Sequence, residues 1–589
     1  MRPCLLTLSL CLLTIAPAGG QTTTLDAANL ALRSSGSASG TQWVLDQSGY
    51  VGTYLTLAAP AQVSINVAAQ GQPAGGSSPR LSLAVNDTRV GWDVGASLAS
   101  FGTSLTLPAG THLFRAELSN GALNGGRTLT IRDLQINGAA ISNSNSNANA
   151  LAAANTYIGN HRRGDATVTL HGAVSGTPVH VKLRNHAFNF GTAVPGSNLA
   201  GVNTYLAAHP TPGSTAANFQ QRLNAHFNSI VPENAGKWSN NEASRGAVTM
   251  ANVDRILSYA ETNNMRVRMH NLIWGNQQPA WVNSLLSSAA AGNSADAASL
   301  RSAISDRINY YIRQRAHRYA EIDIYNESVH TPQYWNVYGA SGVAGVYNES
   351  AAAIAAAGGS AKAFTNEYNV VQDSADYYAN WYRRHVQEIR DAGGSVGGIG
   401  LQYYSANATG SFNNQHSPAR IFAAMHNLAV EDLPLALTEF GVKSGGSGTT
   451  ATQQNRAAQI LEETMRLVFG MPSTTGFTMW GFWQDAVWSG APEGVLYNSD
   501  WSIRPAGERF TALMNEWSTE LTLPVAADGT INFTGFFGDY DITIAGETYA
   551  LSLKKGQTSY TLFVPEPGSL ALLMVWATLL SRRCRSLAR

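Results

Sequence analysis

Two things are scarce in this chain. Of its 589 residues only three are cysteine, Cys4, Cys11 and Cys584, and all lie near the two ends. If both ends are processed away, none remains. That excludes disulfide bracing, a thiol nucleophile and a cysteine metal site, although an exported protein could have formed disulfides. Charge is the second shortage: Asp, Glu, Lys and Arg make up 13% of the chain, where soluble domains carry roughly 25%. Lys plus Arg number 38, equal to Asp plus Glu. No one-signed field is left to draw nucleic acid or anionic lipid. A neutral polymer is the more natural partner, and no nucleic acid is expected.

Both ends read as addresses. "MRPCLLTLSLCLLTIAPAGGQ" has an early Arg, an apolar stretch and a small-residue site at Ala16–Pro17–Ala18. Residues 1–20 therefore read as a secretory signal peptide. In residues 564–589, Pro565, Glu566 and Pro567 precede an apolar stretch from Leu570 to Leu580 and then Arg582, Arg583 and Arg585. The stretch is short for a stable span, which needs about 20 residues. It resembles the PEP-CTERM sorting signal of certain bacteria. That resemblance implies export to the outside or the cell surface, transient membrane retention, and cleavage by a sorting transpeptidase.

The length predicts about two to four domains. Residues 21–141 alternate apolar and polar positions in runs such as "VSINVAA" and "THLFRAEL", split by Gly, Pro and Asn. They predict a β-sandwich or jelly roll. Its role is either carbohydrate binding, with Trp92 among the exposed aromatics, or spacing. The polar, low-complexity "SNSNSNANA" marks 142–156 as a linker. Strand-like residues 157–186 and 518–563 flank the central region, and their strands are expected to pack together beside it.

Residues 187–517 change texture. Eight apolar runs, "FNFGTA", "NSIVPE", "RVRMHN", "EIDIYNE", "KAFTNE", "GGIGLQ", "LALTEF" and "GFTMWGF", alternate with helical stretches. Eight such units argue for an α/β fold, a (β/α)₈ barrel; a doubly wound open sheet is the alternative. In a barrel the chemistry sits where the strands end. Glu327 and Glu439 close two of these runs. Each is either a buried, salt-bridged acid or half of a catalytic pair, since two carboxylates at one cleft can hydrolyse a glycosidic bond. The other ends supply Glu233, Asn234, Lys237 and Trp238; His270, Trp274 and Gln277; Asn326; Asn366 and Glu367; Gln402 and Tyr404; and Trp480 and Trp488. Flat indole faces that stack on sugar rings, beside amides and cations that bond hydroxyls, compose a sugar-binding cleft. Plainer readings exist for several: Glu233 as a helix cap, His270 as a core histidine, Glu367 as structural support, Trp483 as packing, Asp485 as a turn cap.

The ordered motifs "VPENAGKW", "HNLIWGNQQPAW", "YNE", "NEYN", "GIGLQ", "LTEF" and "MWGFWQDAVW" resemble those of glycoside hydrolase family 10, chiefly endo-β-1,4-xylanases, over about residues 165–517. The resemblance implies a secreted retaining endo-β-1,4-xylanase acting on xylan or a related β-1,4-linked polysaccharide, with no cofactor or metal. Glu327 would be the acid/base and Glu439 the nucleophile. Asn326 would contact the substrate 2-hydroxyl. Glu233, Asn234, Lys237, His270, Trp274, Gln277, Gln402, Tyr404, Trp480 and Trp488 would bind substrate. Alternatives are another β-1,4-glycan as substrate, or a surface glycan-binding protein with weakened catalysis.

The chain departs from the family at four places. Tyr404 stands where a His usually bonds the nucleophile, Gly441 where an Asp follows it, and Gly275 where a second His is common. Ala235–Gly236 replaces a Glu–Met pair. A phenol donates a hydrogen bond but gains no positive charge near neutral pH, so Glu439 is expected to be tuned differently.

Overall fold

The computed structural model describes residues 22–86, 88–372, 377–406, 416–445 and 450–564. The expected signal peptide and the sorting motif with its apolar stretch lie outside these. Chain contacts separate two units, divided after Asn145.

The first unit holds two antiparallel sheets. One is built around Ala61–Gln72 and Thr128–Asn137, the other around Gly49–Leu57 and Gly110–Leu118. Their alternating inward residues, among them Val51, Leu55, Val63, Ile65, Phe114 and Ile131, make one core between the sheets, as a β-sandwich requires. Trp92, expected among the exposed aromatics, instead packs partly buried against this core, its ring 5.8 Å from Phe101.

Residues 142–156, expected to be a linker, are mostly not one. A helix runs from Asn147 to His161, with the Ser146 hydroxyl accepting from the Asn149 N–H at 3.2 Å. Its alanine-rich stretch buries Ala150, Ala153, Ala154, Tyr157 and Ile158 on one face. That spacing is helical and was masked by the polar lead-in. The helix packs on the helices Thr450–Gly470 and Pro418–Leu428.

Eight parallel strands follow: β1 (Asn189–Val194), β2 (Ser229–Pro232), β3 (Arg266–Met269), β4 (Glu321–Asn326), β5 (Lys362–Glu367), β6 (Gly398–Ala406), β7 (Leu435–Lys443) and β8 (Thr474–Met479). They hydrogen-bond in sequence order, β8 pairs with β1, and Arg268–Glu321 and Met269–Ile322 join β3 to β4. The barrel is therefore closed, and the open-sheet alternative falls. Its strands are buried almost throughout, which is why they read as continuous apolar runs. A two-residue strand, Ile273–Trp274, pairs with the end of β4, Trp274 opposite Asn326.

The flanking segments form one β-module. Arg163–His171 lies between Thr530–Phe536 and Ser559–Phe563, and Pro178–His186 lies between Glu520–Pro524 and Gly538–Ile544.

Candidate active site

The C-terminal ends of the strands bring Glu327 and Glu439 into one network. Glu327 leaves β4 in a left-handed conformation, φ 56°, which few non-glycine residues adopt without surrounding support. The support is visible. The Glu327 N–H donates to the Asn366 carbonyl at 2.7 Å, and its own carbonyl accepts from the Thr331 N–H at 2.6 Å and hydroxyl at 2.8 Å. Its carboxylate accepts from the Trp274 indole N–H at 2.8 Å and Gln402 Nε2 at 3.1 Å.

Glu439 sits inside β7 and is buried. It accepts from Asn366 Nδ2 at 3.0 Å and the Tyr404 hydroxyl at 2.6 Å. Asn366 thus touches both acids, Glu327 through its main-chain oxygen and Glu439 through its side chain. Its own Oδ1 accepts from the Thr438 hydroxyl at 2.5 Å. Asn326 Oδ1 accepts from Asn366 Nδ2 at 2.9 Å and Gln402 Nε2 at 3.4 Å. That fixes the Asn326 amide and leaves its Nδ2 buried with no protein acceptor. A donor without a partner at such a point is suited to an incoming hydroxyl.

Burial pushes the Glu327 carboxyl up to about 7, against the donors Gln402 and Trp274, with the Glu367 charge adding to the rise. Burial also raises Glu439, the Tyr404 bond opposes it, and the Glu327 charge adds to it. Two such neighbours titrate as a pair. The Lys237 ammonium, its own proton loosened by burial, feels Glu439 most strongly, then Glu233 and Glu327.

The remaining predicted residues divide. Lys237 donates to Asn234 Oδ1 at 2.9 Å, and its ammonium lies 5.2 Å from the centre of the Trp274 ring. Glu233 is partly buried beside them, its carboxyl raised by that burial. The His270 ring lies 5.2 Å edge-on to Trp480 and 6.3 Å from Trp274. Its Nδ1 faces Asp323 at 3.0 Å, so it is a partnered residue of the cleft floor. Trp488 is 43% exposed and meets Tyr404 edge-on at 4.8 Å. Gln277 is exposed on a loop with φ 47°, and its carbonyl accepts from the Ser239 N–H at 3.3 Å. Its neighbour Gln278 is the buried one, bonded to Tyr334 and Asn283.

Glu367 acts as support. Its carboxylate accepts from the N–H groups of Val329 at 2.7 Å and Tyr368 at 3.0 Å, and it faces His330 Nδ1 at 2.8 Å. Trp483 packs flat on Trp501 at 4.1 Å, and Asp485 accepts from Ser499. The sequence reading placed Asn366 at a strand end without giving it a role. It missed the buried Arg268, which bonds Glu321 and Asp323 below the cleft. The signal was available: charged residues within apolar strand runs require partners.

At three of the departures the glycine is closely packed. A Cβ on Gly441 would come 2.8 Å from Ala491 Cβ and 2.9 Å from the Tyr404 ring. On Gly275 it would meet the Gln333 amide at 2.0 Å, and on Gly236 the His270 carbonyl oxygen at 2.2 Å. Each glycine leaves room that a neighbour fills.

A closed parallel barrel presenting two carboxylates among amides and indoles at its strand ends defines a glycoside hydrolase scaffold. The sequence profile of Glycosyl hydrolase family 10 matches residues 187–513, and the chain belongs to that family. It is 30% identical over 396 residues to Anti-sigma-I factor RsgI6 of Acetivibrio thermocellus, covering 65% of this chain and 45% of the relative. It is 23% identical over 384 residues to Endo-1,4-beta-xylanase 1 of Arabidopsis thaliana, covering 64% of this chain and 36% of the relative. The chain thus spans less than half the length of these two curated relatives. The structure of Penicillium canescens endo-1,4-beta-xylanase XylE aligns over 56% of this chain and 95% of that one, at 18% identity and a TM-score of 0.46.

Proposed function

We propose that the protein is an exported endo-β-1,4-xylanase that hydrolyses xylan with retention of anomeric configuration. The observation that carries this reading is the bridge through Asn366, which ties the Glu327 main chain and the Glu439 carboxylate to one strand end. Glu439 attacks the anomeric carbon while Glu327 donates its proton to the leaving oxygen; the glycosyl-enzyme ester forms as the glycosidic bond breaks. Glu327, now a carboxylate, takes a proton from water, and that water opens the ester. The free Nδ2 of Asn326 is placed to donate to the sugar 2-hydroxyl as charge builds on the ring.

Burial holds the Glu327 carboxyl up, toward the protonated form a donor needs, while the Tyr404 hydroxyl and the Lys237 ammonium favour charge on Glu439.

The test is to incubate the purified mature chain with xylan and other β-1,4-glycans and follow the anomer formed first by NMR. An initial β-product from xylan is expected. An initial α-product removes retention, and preferential cleavage of a glucan moves the substrate. A second reading is favoured by Tyr404 and Gly441, which stand beside Glu439 where the family usually has a His and an Asp: a surface glycan-binding protein with weak catalysis. Binding to xylan without cleavage on any glycan would select it. Export itself is tested by N-terminal sequencing of the mature protein, with cleavage expected near Ala18 or Gly20, and by persistence of the otherwise transient membrane association when Pro565, Glu566 and Pro567 are replaced and cleavage is blocked.

A further inference from the structure

The barrel leaves two large aromatic rings exposed at a point the network above does not use. Tyr377 is 61% exposed and Trp381 42%, both on the helix Tyr377–Asp391 that follows β5. That helix buries Ala379, Tyr382, Arg383, Val386 and Ile389. Its exposed aromatic edge is therefore additional to what packing against the barrel needs. Apolar rings left in water in a cluster, not singly, mark a surface meant to be covered.

The rings connect to the catalytic loop. His330 lies three residues beyond Glu327 and is fixed by Glu367 at 2.8 Å. Its ring stacks on Tyr368 at 4.0 Å and lies 4.9 Å from Tyr378 and 6.3 Å from Trp381. Tyr378 and Trp381 are near-parallel at 6.0 Å with an interplanar angle of 23°, and Tyr377 lies 5.9 Å from Trp381. A continuous run of rings thus leads from beside the proposed proton donor out to solvent, on the side of β4 and β5. Glu233 and Lys237 follow β2 and Trp480 follows β8, at other strand ends of the barrel.

We propose that Trp381 and Tyr377 form a shelf on which a sugar ring of the bound β-1,4-glycan rests, on the arm of the polymer that leaves the cleft over β4 and β5. The exposed rings are uncharged, which fits a neutral polysaccharide. A pyranose has an apolar face of axial C–H groups that lies flat on an indole. The shelf continues the cleft instead of opening elsewhere on the surface. The assignment rests on the glycan-hydrolase reading for the identity of its ligand.

Two measurements on the full mature protein test it. In the first, Trp381→Ala/Tyr377→Ala is compared with the unsubstituted protein on linear xylo-oligosaccharides of two to six units. The ratio of kcat/KM for the hexaose to that for the shortest substrate cleaved should fall roughly tenfold, about what one lost aromatic stack is worth. In the second, xylohexaose binding is measured by calorimetry in the Glu439→Ala background, where no turnover intervenes, and should weaken by a similar factor on removing the two rings. An unchanged ratio with unchanged binding overturns the shelf and leaves the surface to a protein partner. An equal loss on short and long substrates also overturns it, as does failure of the Glu439→Ala protein to bind the hexaose. If no β-glycan is cleaved but hexaose binding depends on Trp381, the shelf stands and the hydrolytic reading falls.

Discussion

Glu327 and Glu439 face one cleft but are held in opposite ways. Glu327 is positioned by its main chain: a left-handed residue just past β4, pinned by Asn366, by Thr331 and, through the following turn, by Glu367. Glu439 lies in ordinary extended strand and is positioned by side chains, Asn366 and Tyr404. An acid that must give up and retake a proton gains from a fixed direction of approach. A nucleophile that must shed charge into a covalent bond gains from donors matched to its charged form.

The most severe way to break this contrast is to remove the proposed nucleophile. Glu439→Ala should reduce turnover by roughly four orders of magnitude or more while xylo-oligosaccharide binding persists; surviving activity would move the nucleophile elsewhere. Asn366→Ala strikes the residue common to both acids. Of the two acids its side chain bonds only Glu439, so kcat should drop roughly a hundredfold, about the value of one preorganised donor, with KM changing far less. A loss confined to KM would make Asn366 a binding residue only.

Two conservative substitutions sharpen the contrast by pH. Tyr404→Phe deletes a donor that favours ionised Glu439. Its proton affinity rises, so the acid limb of kcat/KM should move to higher pH. Trp274→Phe deletes a donor that favours ionised Glu327, so the alkaline limb, where Glu327 loses its proton, should move to higher pH. Each shift should be about one unit or less. If both substitutions move the same limb, the two acids do not divide the roles as assigned. Tyr404→His should move one limb as well, since imidazole titrates where phenol does not; no movement would sink the tuning role of Tyr404. The smallest effect concerns the room beside Glu439. Gly441→Ala should cost about 1–3 kcal/mol in denaturant unfolding, as an overpacked methyl does. The cost should shrink in a Tyr404→Ala background, and a double-mutant cycle reads that coupling.

Much of the barrel was legible because a buried parallel strand advertises itself. "EIDIYNE" and "LALTEF" are apolar runs interrupted by an acid, at the end of β4 in the first and inside β7 in the second, and all eight apolar runs carry strands. The links between the ends were not legible. Nothing local in "KAFTNE" says that Asn366 reaches one glutamate with its backbone and another with its side chain; that depends on β5 lying between β4 and β6. Arg268 was hidden because its partners Glu321 and Asp323 stand more than 50 positions away. The helix at Asn147–His161 was lost behind a polar repeat, where composition outweighed the spacing of Ala150, Ala153, Ala154 and Tyr157.

The β-module beside the barrel governs the order in which this chain can fold. Arg163–His171 and Pro178–His186 find their strand partners only between Glu520 and Phe563. During synthesis, two half-apolar strands wait unpaired while more than three hundred residues emerge. Closure over such a distance is slow and comes late. It acts as a clasp fastened last, and a chain truncated before Thr530 would keep open strand edges that invite association with other chains.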